Sequence, residues 1–210
     1  MPPMSEDMED FKPTIFNPGF GGGANWYGVS VDPETGWMYI PSFQLPISMS
    51  LKKPDPARSN FNYVGSLGFV RGPEGLPLLK GPYSKVTAID LNTCEHVWET
   101  PIGDGPIEHP ALKDLDLAPL GSMMPGRPVL TKSLLFIFTE AGGGMFGGSA
   151  PADGVNVRAL DKKTGEVVSE LALGIDSLGV PMTYAVDGKQ YLAIAGLSDG
   201  VSEVVALSLP

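Results

Sequence analysis

The sequence predicts an all-β chain: a partial β-propeller of about three four-stranded antiparallel blades. Three observations predict it. A strand–turn–strand unit, Val86-Thr87-Ala88-Ile89-Asp90-Leu91-Asn92-Thr93-Cys94-Glu95-His96-Val97-Trp98, recurs as Val157-Arg158-Ala159-Leu160-Asp161-Lys162-Lys163-Thr164-Gly165-Glu166-Val167-Val168-Ser169, with Ala, Asp, Thr and Glu in step. No segment sustains a 3.6-residue apolar period, although Pro110 to Leu117 has room for a short helical turn. Glycine (27) and proline (21) are too abundant for a helical bundle, and no Gly-X-Y period exists. Antiparallel units of four strands, repeated in series, are the signature of a propeller.

The elements follow in order. Val29 to Val31 and Trp37 to Pro41 flank the turn Asp32-Pro33-Glu34-Thr35-Gly36, in which Pro33 presets φ, Asp32 can bond the backbone ahead of it and Gly36 tolerates positive φ. With Val86 to Trp98 they make one unit from about Trp26 to Ile102. Arg127 to Leu130 and Leu134 to Thr139 form a hairpin around Thr131-Lys132-Ser133 and open a second unit that ends near Leu173. Pro181 to Val186 and Tyr191 to Ala195 form another, around Asp187-Gly188-Lys189-Gln190; with Ser202 to Leu209 they give a third unit of only three strands. A propeller closes with about four to eight blades. The chain therefore reads as an open arc whose unpaired edges predict self-association or a partner chain. A β-sandwich of the same hairpins is the alternative, and the regularity of the repeat favours the propeller.

The whole chain, 1–210, reads as a single partial propeller domain, with 1–12 expected to be a mobile N-terminal segment and 42–83 a long loop rich in proline. Loops of that length inside a compact domain are usually lids or binding loops. A hydrophobic content of 42% supports a packed core, while a net charge of −10 disfavours nucleic acid, which needs clustered Lys and Arg. The single cysteine, Cys94, allows no internal disulfide and no Cys pair for zinc. Apolar runs such as Leu134 to Phe138 are too short to span a bilayer, so no transmembrane segment is expected. The start of the chain carries Glu6, Asp7, Glu9 and Asp10 and lacks the basic and apolar regions of a signal peptide.

Few residues carry chemistry. Gly21-Gly22-Gly23-Ala24-Asn25-Trp26 joins glycines that let a ligand approach the main chain to an amide and a large flat indole. By itself Trp26 reads as packing. His96, in a strand, and His109, in a proline-rich loop, read as surface residues. The acidic cluster Glu6-Asp7-Glu9-Asp10 reads as a solvated tail and not an oxygen-ligand metal site. Gly142-Gly143-Gly144, continuing to Gly147-Gly148, lacks the Lys-Ser/Thr of a phosphate loop and reads as a flexible loop. No Ser/His/Asp grouping is supported, and nothing marks Cys94 as a nucleophile.

These residues carry a family resemblance. Gly22-Gly23-Ala24-Asn25-Trp26, the Asp32-Pro33-Glu34-Thr35-Gly36 turn and Met38-Tyr39-Ile40 resemble the late-propeller region of the pyrroloquinoline-quinone (PQQ)-dependent alcohol and glucose dehydrogenases. Thr87 to Thr93 and Ala159 to Gly165 resemble the family's blade motif, which normally continues to Gly and then Trp. Pro181-Met182-Thr183-Tyr184 with Asp187 to Tyr191 resembles its last-blade hairpin. Glu108-His109-Pro110-Ala111-Leu112 and Pro119-Leu120-Gly121 resemble the glucose-dehydrogenase-like branch. The resemblance runs from about Pro13 onward and covers the C-terminal part of what is, in the family, an eight-bladed propeller. Two positions depart from it. Cys94 stands at the usual glycine of the first motif, and Ser169 at the usual tryptophan of the second, which in the family docks blade to blade.

The resemblance implies PQQ as cofactor, with Ca²⁺ held mainly by residues absent from this chain. It implies Asn25 and Trp26 at the rim of the cofactor pocket, with Gly179 a further lining candidate. The implied reaction is oxidation of a sugar or alcohol by hydride transfer to the quinone. No counterpart of the family's calcium ligands or catalytic carboxylate is found, so the chain is expected to be inactive without the missing blades. The implied location is the periplasm. A non-catalytic propeller fragment, acting as a binding or assembly module, stays open as the alternative.

Overall fold

The computed structural model describes residues 3–19, 22–139, 156–175, 177–198 and 200–208. The glycine loop at 142–148, Gly21 and Leu209 lie outside them. In chain order the strands begin with β1 (Thr14–Phe16), β2 (Ser30–Asp32), β3 (Trp37–Phe43), β4 (Ile47–Lys52) and β5 (Val64–Phe69). They continue with β6 (Ser84–Asp90), β7 (Glu95–Pro101), β8 (Arg127–Leu130), β9 (Leu134–Thr139) and β10 (Asn156–Asp161). The last are β11 (Val167–Ala172), β12 (Ser177–Leu178), β13 (Met182–Val186), β14 (Lys189–Ser198) and β15 (Val201–Ser208). The short helical turn expected between Pro110 and Leu117 is present as hydrogen-bonded turns, with Leu112 N and Lys113 N donating to His109 O.

Where one domain was expected, the chain divides into two compact units, one of Met1–Gly23 with Gln44–Lys80, the other of Ala24–Phe43 with Gly81–Pro210. The smaller unit holds a sheet that the loop expectation for 42–83 does not contain, in the order β1-β4-β5. Ile47-Ser48-Met49-Ser50-Leu51-Lys52 alternates strictly, as a half-buried strand should. The start of the chain is tied to it: Leu51 N donates to Met4 O, Glu6 N to Leu51 O, and the Ser50 hydroxyl to Glu6 Oε1 at 2.7 Å. Lys53 Nζ lies 2.8 Å from Asp7 Oδ2. The segment expected to be mobile thus has backbone and side-chain partners.

The larger unit stacks three antiparallel sheets. The first, β2-β3-β6-β7, and the second, β8-β9-β10-β11, each have four strands. β9 reads Leu-Leu-Phe-Ile-Phe-Thr, a continuous apolar run, because both of its faces are covered. Leu135 and Ile137 join Tyr39, Val86, Ala88, Ile102 and Leu160 in one core. Phe138 joins Val129, Val157, Ile175 and Ile194 in another, with Phe136 packed against it.

The third sheet contains a fourth strand, β12, that the sequence reading lacks. It adds no new layer, however. β15 pairs with β14 from Tyr191 to Ser198, so β12 and β13 must share the opposite edge of β14. Between the pairs Leu178–Gly196 and Met182–Ala193 the β12–β13 line has one residue more than β14, a bulge at 179–181. Leu192, Ile194, Val205 and Leu207 of this sheet pack toward the second sheet. Met182, Tyr184, Val186, Leu197 and Val204 share the other face and are exposed, Met182 at 57% and Val204 at 72%.

Candidate functional site

Asn25 and Trp26 sit in a turn closed by Gly28 N donating to Asn25 O at 3.2 Å. Gly28 has φ +92°, a conformation that L side chains rarely adopt. Within the turn, Trp26 N donates to Asn25 Oδ1 at 2.7 Å. The turn is fixed on both sides. Ala24 forms an antiparallel bridge with Ser42 of β3. On the other side the Arg127 guanidinium lies 4.4 Å from the centroid of the Tyr27 ring. Trp26 is 87% exposed, so its indole is not core packing, and the fixed turn presents it to solvent.

Arg127, the first residue of β8, is buried. Its backbone has little freedom, because a Cβ at the preceding Gly126 would collide with Ile137 and crowd Ile102. No sequence argument singled Arg127 out. The signal available was a lone cation directly after Gly126 at the head of an otherwise apolar strand.

Gly179 lies in the bulge of the third sheet, its amide donating to Ala195 O at 2.8 Å. It borders an open groove lined by Ala195, Gly196, Leu197, Ser202 and Glu203. A Cβ at Gly179 would meet Ala195 O at 3.6 Å, an ordinary contact, so the described fold does not itself demand glycine there. Asn25 and Trp26 are brought together in one turn, and Gly179 stands apart in its groove.

At the other end of the same sheets lies a buried ion pair. Lys162 Nζ is 2.7 Å from Asp32 Oδ2, with side chains 6% and 3% exposed. Burial opposes the Asp32 carboxylate, but hydrogen bonds from Lys162, Thr35 and the Glu34 amide outweigh it and hold its pKa below the ordinary value. Burial, together with Asp32 and Asp161, pushes the Tyr39 phenol up to about 12, so it stays a donor, to Lys162 O at 3.0 Å. Fully partnered, this cluster is structural.

The remaining candidates are accounted for locally. His96 Nδ1 lies 3.6 Å from Glu99 Oε1 on an exposed strand. His109 Nδ1 accepts from Ala111 N at 3.2 Å. Cys94 is exposed at φ +62° in the Asp90–Glu95 turn.

The model of the family described as the glucose/ethanol/alcohol dehydrogenase PQQ β-propeller domain matches residues 2–192. The glycerol dehydrogenase large subunit of Gluconobacter oxydans is 31% identical over 211 residues, covering 87% of this chain and 27% of that protein. The quinoprotein glucose dehydrogenase of Escherichia coli is 28% identical, over 94% of this chain and 27% of its own length. The crystal structure of quinohemoprotein alcohol dehydrogenase from Comamonas testosteroni superposes with a TM-score of 0.52 at 21% identity, covering 88% of this chain and 24% of that one. The chain thus spans about a quarter of the length of these relatives, and the likeness with its antiparallel sheets makes it a partial β-propeller.

Proposed function

Because the chain belongs to the PQQ β-propeller family of glucose, ethanol and alcohol dehydrogenases, we propose that it is the C-terminal segment of such a dehydrogenase and supplies part of the wall of its quinone site. The observation that carries this reading is Trp26, fully presented on a turn fixed from both sides. Its ring offers a flat apolar surface for a planar quinone, and the Asn25 side chain at its base orients the ring by accepting from the Trp26 amide. Gly179 offers main chain that a ligand can approach, at a position where the fold would admit a side chain. When bound, PQQ supplies a quinone that accepts hydride from an alcohol or sugar, with Ca²⁺ as the Lewis acid beside it. Among residues 1–210 we assign neither the base nor the metal ligands, and catalysis then requires the other blades.

The outward face of the third sheet supports the same reading. A sheet with apolar side chains on both faces needs a layer on each. Leu192, Ile194, Val205 and Leu207 have theirs in the second sheet, while Met182, Tyr184, Val186, Leu197 and Val204 are exposed. The occupant proposed is a further blade of the same propeller. The proposed setting is the periplasm; among the described residues, no helix is long and apolar enough to cross a membrane.

The test is dye-coupled turnover with PQQ and Ca²⁺, offering glucose, glycerol and ethanol. The chain alone should turn over none of them. Fused behind the missing portion of the Gluconobacter oxydans relative, it should gain activity that Trp26→Ala lowers by about tenfold. Turnover by the chain alone, or an active fusion indifferent to Trp26→Ala, would refute the proposal.

A further inference from the structure

We propose that Arg127 is a positioning residue for the Asn25–Trp26 turn, acting through Tyr27; the proposal rests on the quinone-site reading and adds a residue to it. The order of constraint runs outward from the core. Gly126 packs so closely on Ile137 and Ile102 that any Cβ there collides, which fixes the chain where β8 begins. Arg127 follows directly, only 4% exposed, with its guanidinium 4.4 Å from the Tyr27 ring centroid. Burial of the guanidinium strengthens its cation–π contact with the half-buried Tyr27 ring, because a cation withdrawn from water gains more from an aromatic face. Tyr27 lies between Trp26 and Gly28, inside the turn that Gly28 N closes onto Asn25 O. Holding Tyr27 therefore holds the turn, and with it the direction in which Trp26 projects. The Ala24–Ser42 bridge secures only the incoming side. On the outgoing side the next strand pairing is Ser30 with Tyr39, so Arg127 acts on the stretch between the turn and β2, where Tyr27 lies. A site that must stack a planar ligand needs its ring pre-oriented, since orienting it on binding weakens affinity.

Two measurements on the intact 210-residue chain test this. The first is amide hydrogen exchange without ligand. Arg127→Met and Tyr27→Leu should each speed exchange at Gly28 by about tenfold, while Arg127→Lys and Tyr27→Phe, which keep a cation and a ring, stay within about threefold. Amides of β9 and β10 should be protected as in the parent, which separates a local release from unfolding. The second is fluorescence titration with PQQ and Ca²⁺. The same two disruptive variants should weaken binding by about tenfold, to the same extent at about 50 mM and about 500 mM salt. Unchanged Gly28 exchange in both disruptive variants would overturn the proposal. So would a binding loss that disappears at high salt, which would make Arg127 a direct ion-pair partner of the ligand. Failure of the parent chain to quench saturably would count against the quinone reading alone, and the exchange result would still decide the role of Arg127.

Discussion

The interface between the first and second sheets and that between the second and third are built differently. Each buries one face of β9, the aliphatic Leu135 and Ile137 in the first and the aromatic Phe136 and Phe138 in the second. The first is also crossed by directional bonds. Trp98 Nε1 and the Tyr39 hydroxyl both donate to Lys162 O, Thr100 Oγ1 donates to Gly165 O at 2.7 Å, and Lys162 Nζ reaches Asp32. Trp98 covers Gly165 so closely that a Cβ there would collide with the indole. The second interface, among the described residues, is held by Val129, Phe138, Val157, Ile175 and Ile194 with their apolar neighbours. The lesson concerns the repeat. Its Trp and Gly are partners across neighbouring sheets: Trp98 belongs to one copy and Gly165 to the next. Ser169, where the second copy would carry Trp, is exposed on β11, and among the described residues no strand pairs with β15 on its far side to bring a turn against it. Cys94, where the first copy would carry Gly, is exposed, and no ring contact is formed with it among the described residues. Both departures from the motif fall where its partner is absent from the described structure.

The largest effect should come from breaking the polar side of this contrast. Lys162→Ala leaves Asp32 buried without its cation and should cost about 3–5 kcal/mol in urea unfolding, whereas replacing Asp32 and Lys162 together by apolar residues of similar size should cost far less. On the apolar side, Ile194→Ala should cost about 2–5 kcal/mol with no recovery by any charge change. Gly165→Ala combines a positive φ of 75° with the Trp98 collision and should cost about 2 kcal/mol, relieved in part by Trp98→Ala.

Acid sharpens the same comparison. The folded pKa of Asp32 lies below its ordinary 3.8, so its contribution is complete above that pH and is lost as pH falls through the folded value. The stability difference between the parent chain and Asp32→Asn should therefore be constant near neutrality and narrow below pH 3.8, while that for Ile194→Ala should show no such narrowing. Smallest of all, Ser169→Trp should change stability by no more than about 0.5 kcal/mol, because the residue is exposed and, among the described residues, meets no turn as Trp98 meets Gly165. A gain of 2 kcal/mol or so would mean that an unrecognised surface receives the ring.

Much of the larger unit was legible because its information is local. The two motif copies, the Asp32–Gly36 turn and the Asp187–Gly188 hairpin each place strand, turn and strand within about a dozen residues. The β1-β4-β5 sheet was not legible in that way. Its pairing of Thr14 with Met49 spans a long stretch of chain, and the prolines flanking Ile47–Lys52 outweighed the alternation that marked β4. The short β12 escaped notice because a bulge separates it from β13. At the proposed site, Asn25 and Trp26 rest on residue type and resemblance, and the structure adds that they share one exposed turn. Arg127 has no such signal, since it meets Tyr27 across an interval of a hundred residues, and only packing reveals that contact.

Trp26 is proposed as the face of a quinone site. Fluorescence titration of the purified, folded chain with PQQ in the presence of Ca²⁺, beside Trp26→Ala, tests it most directly. Saturable quenching that vanishes in Trp26→Ala is the predicted result. Quenching that persists undiminished in that variant, or no saturable quenching by a folded parent chain, would contradict it.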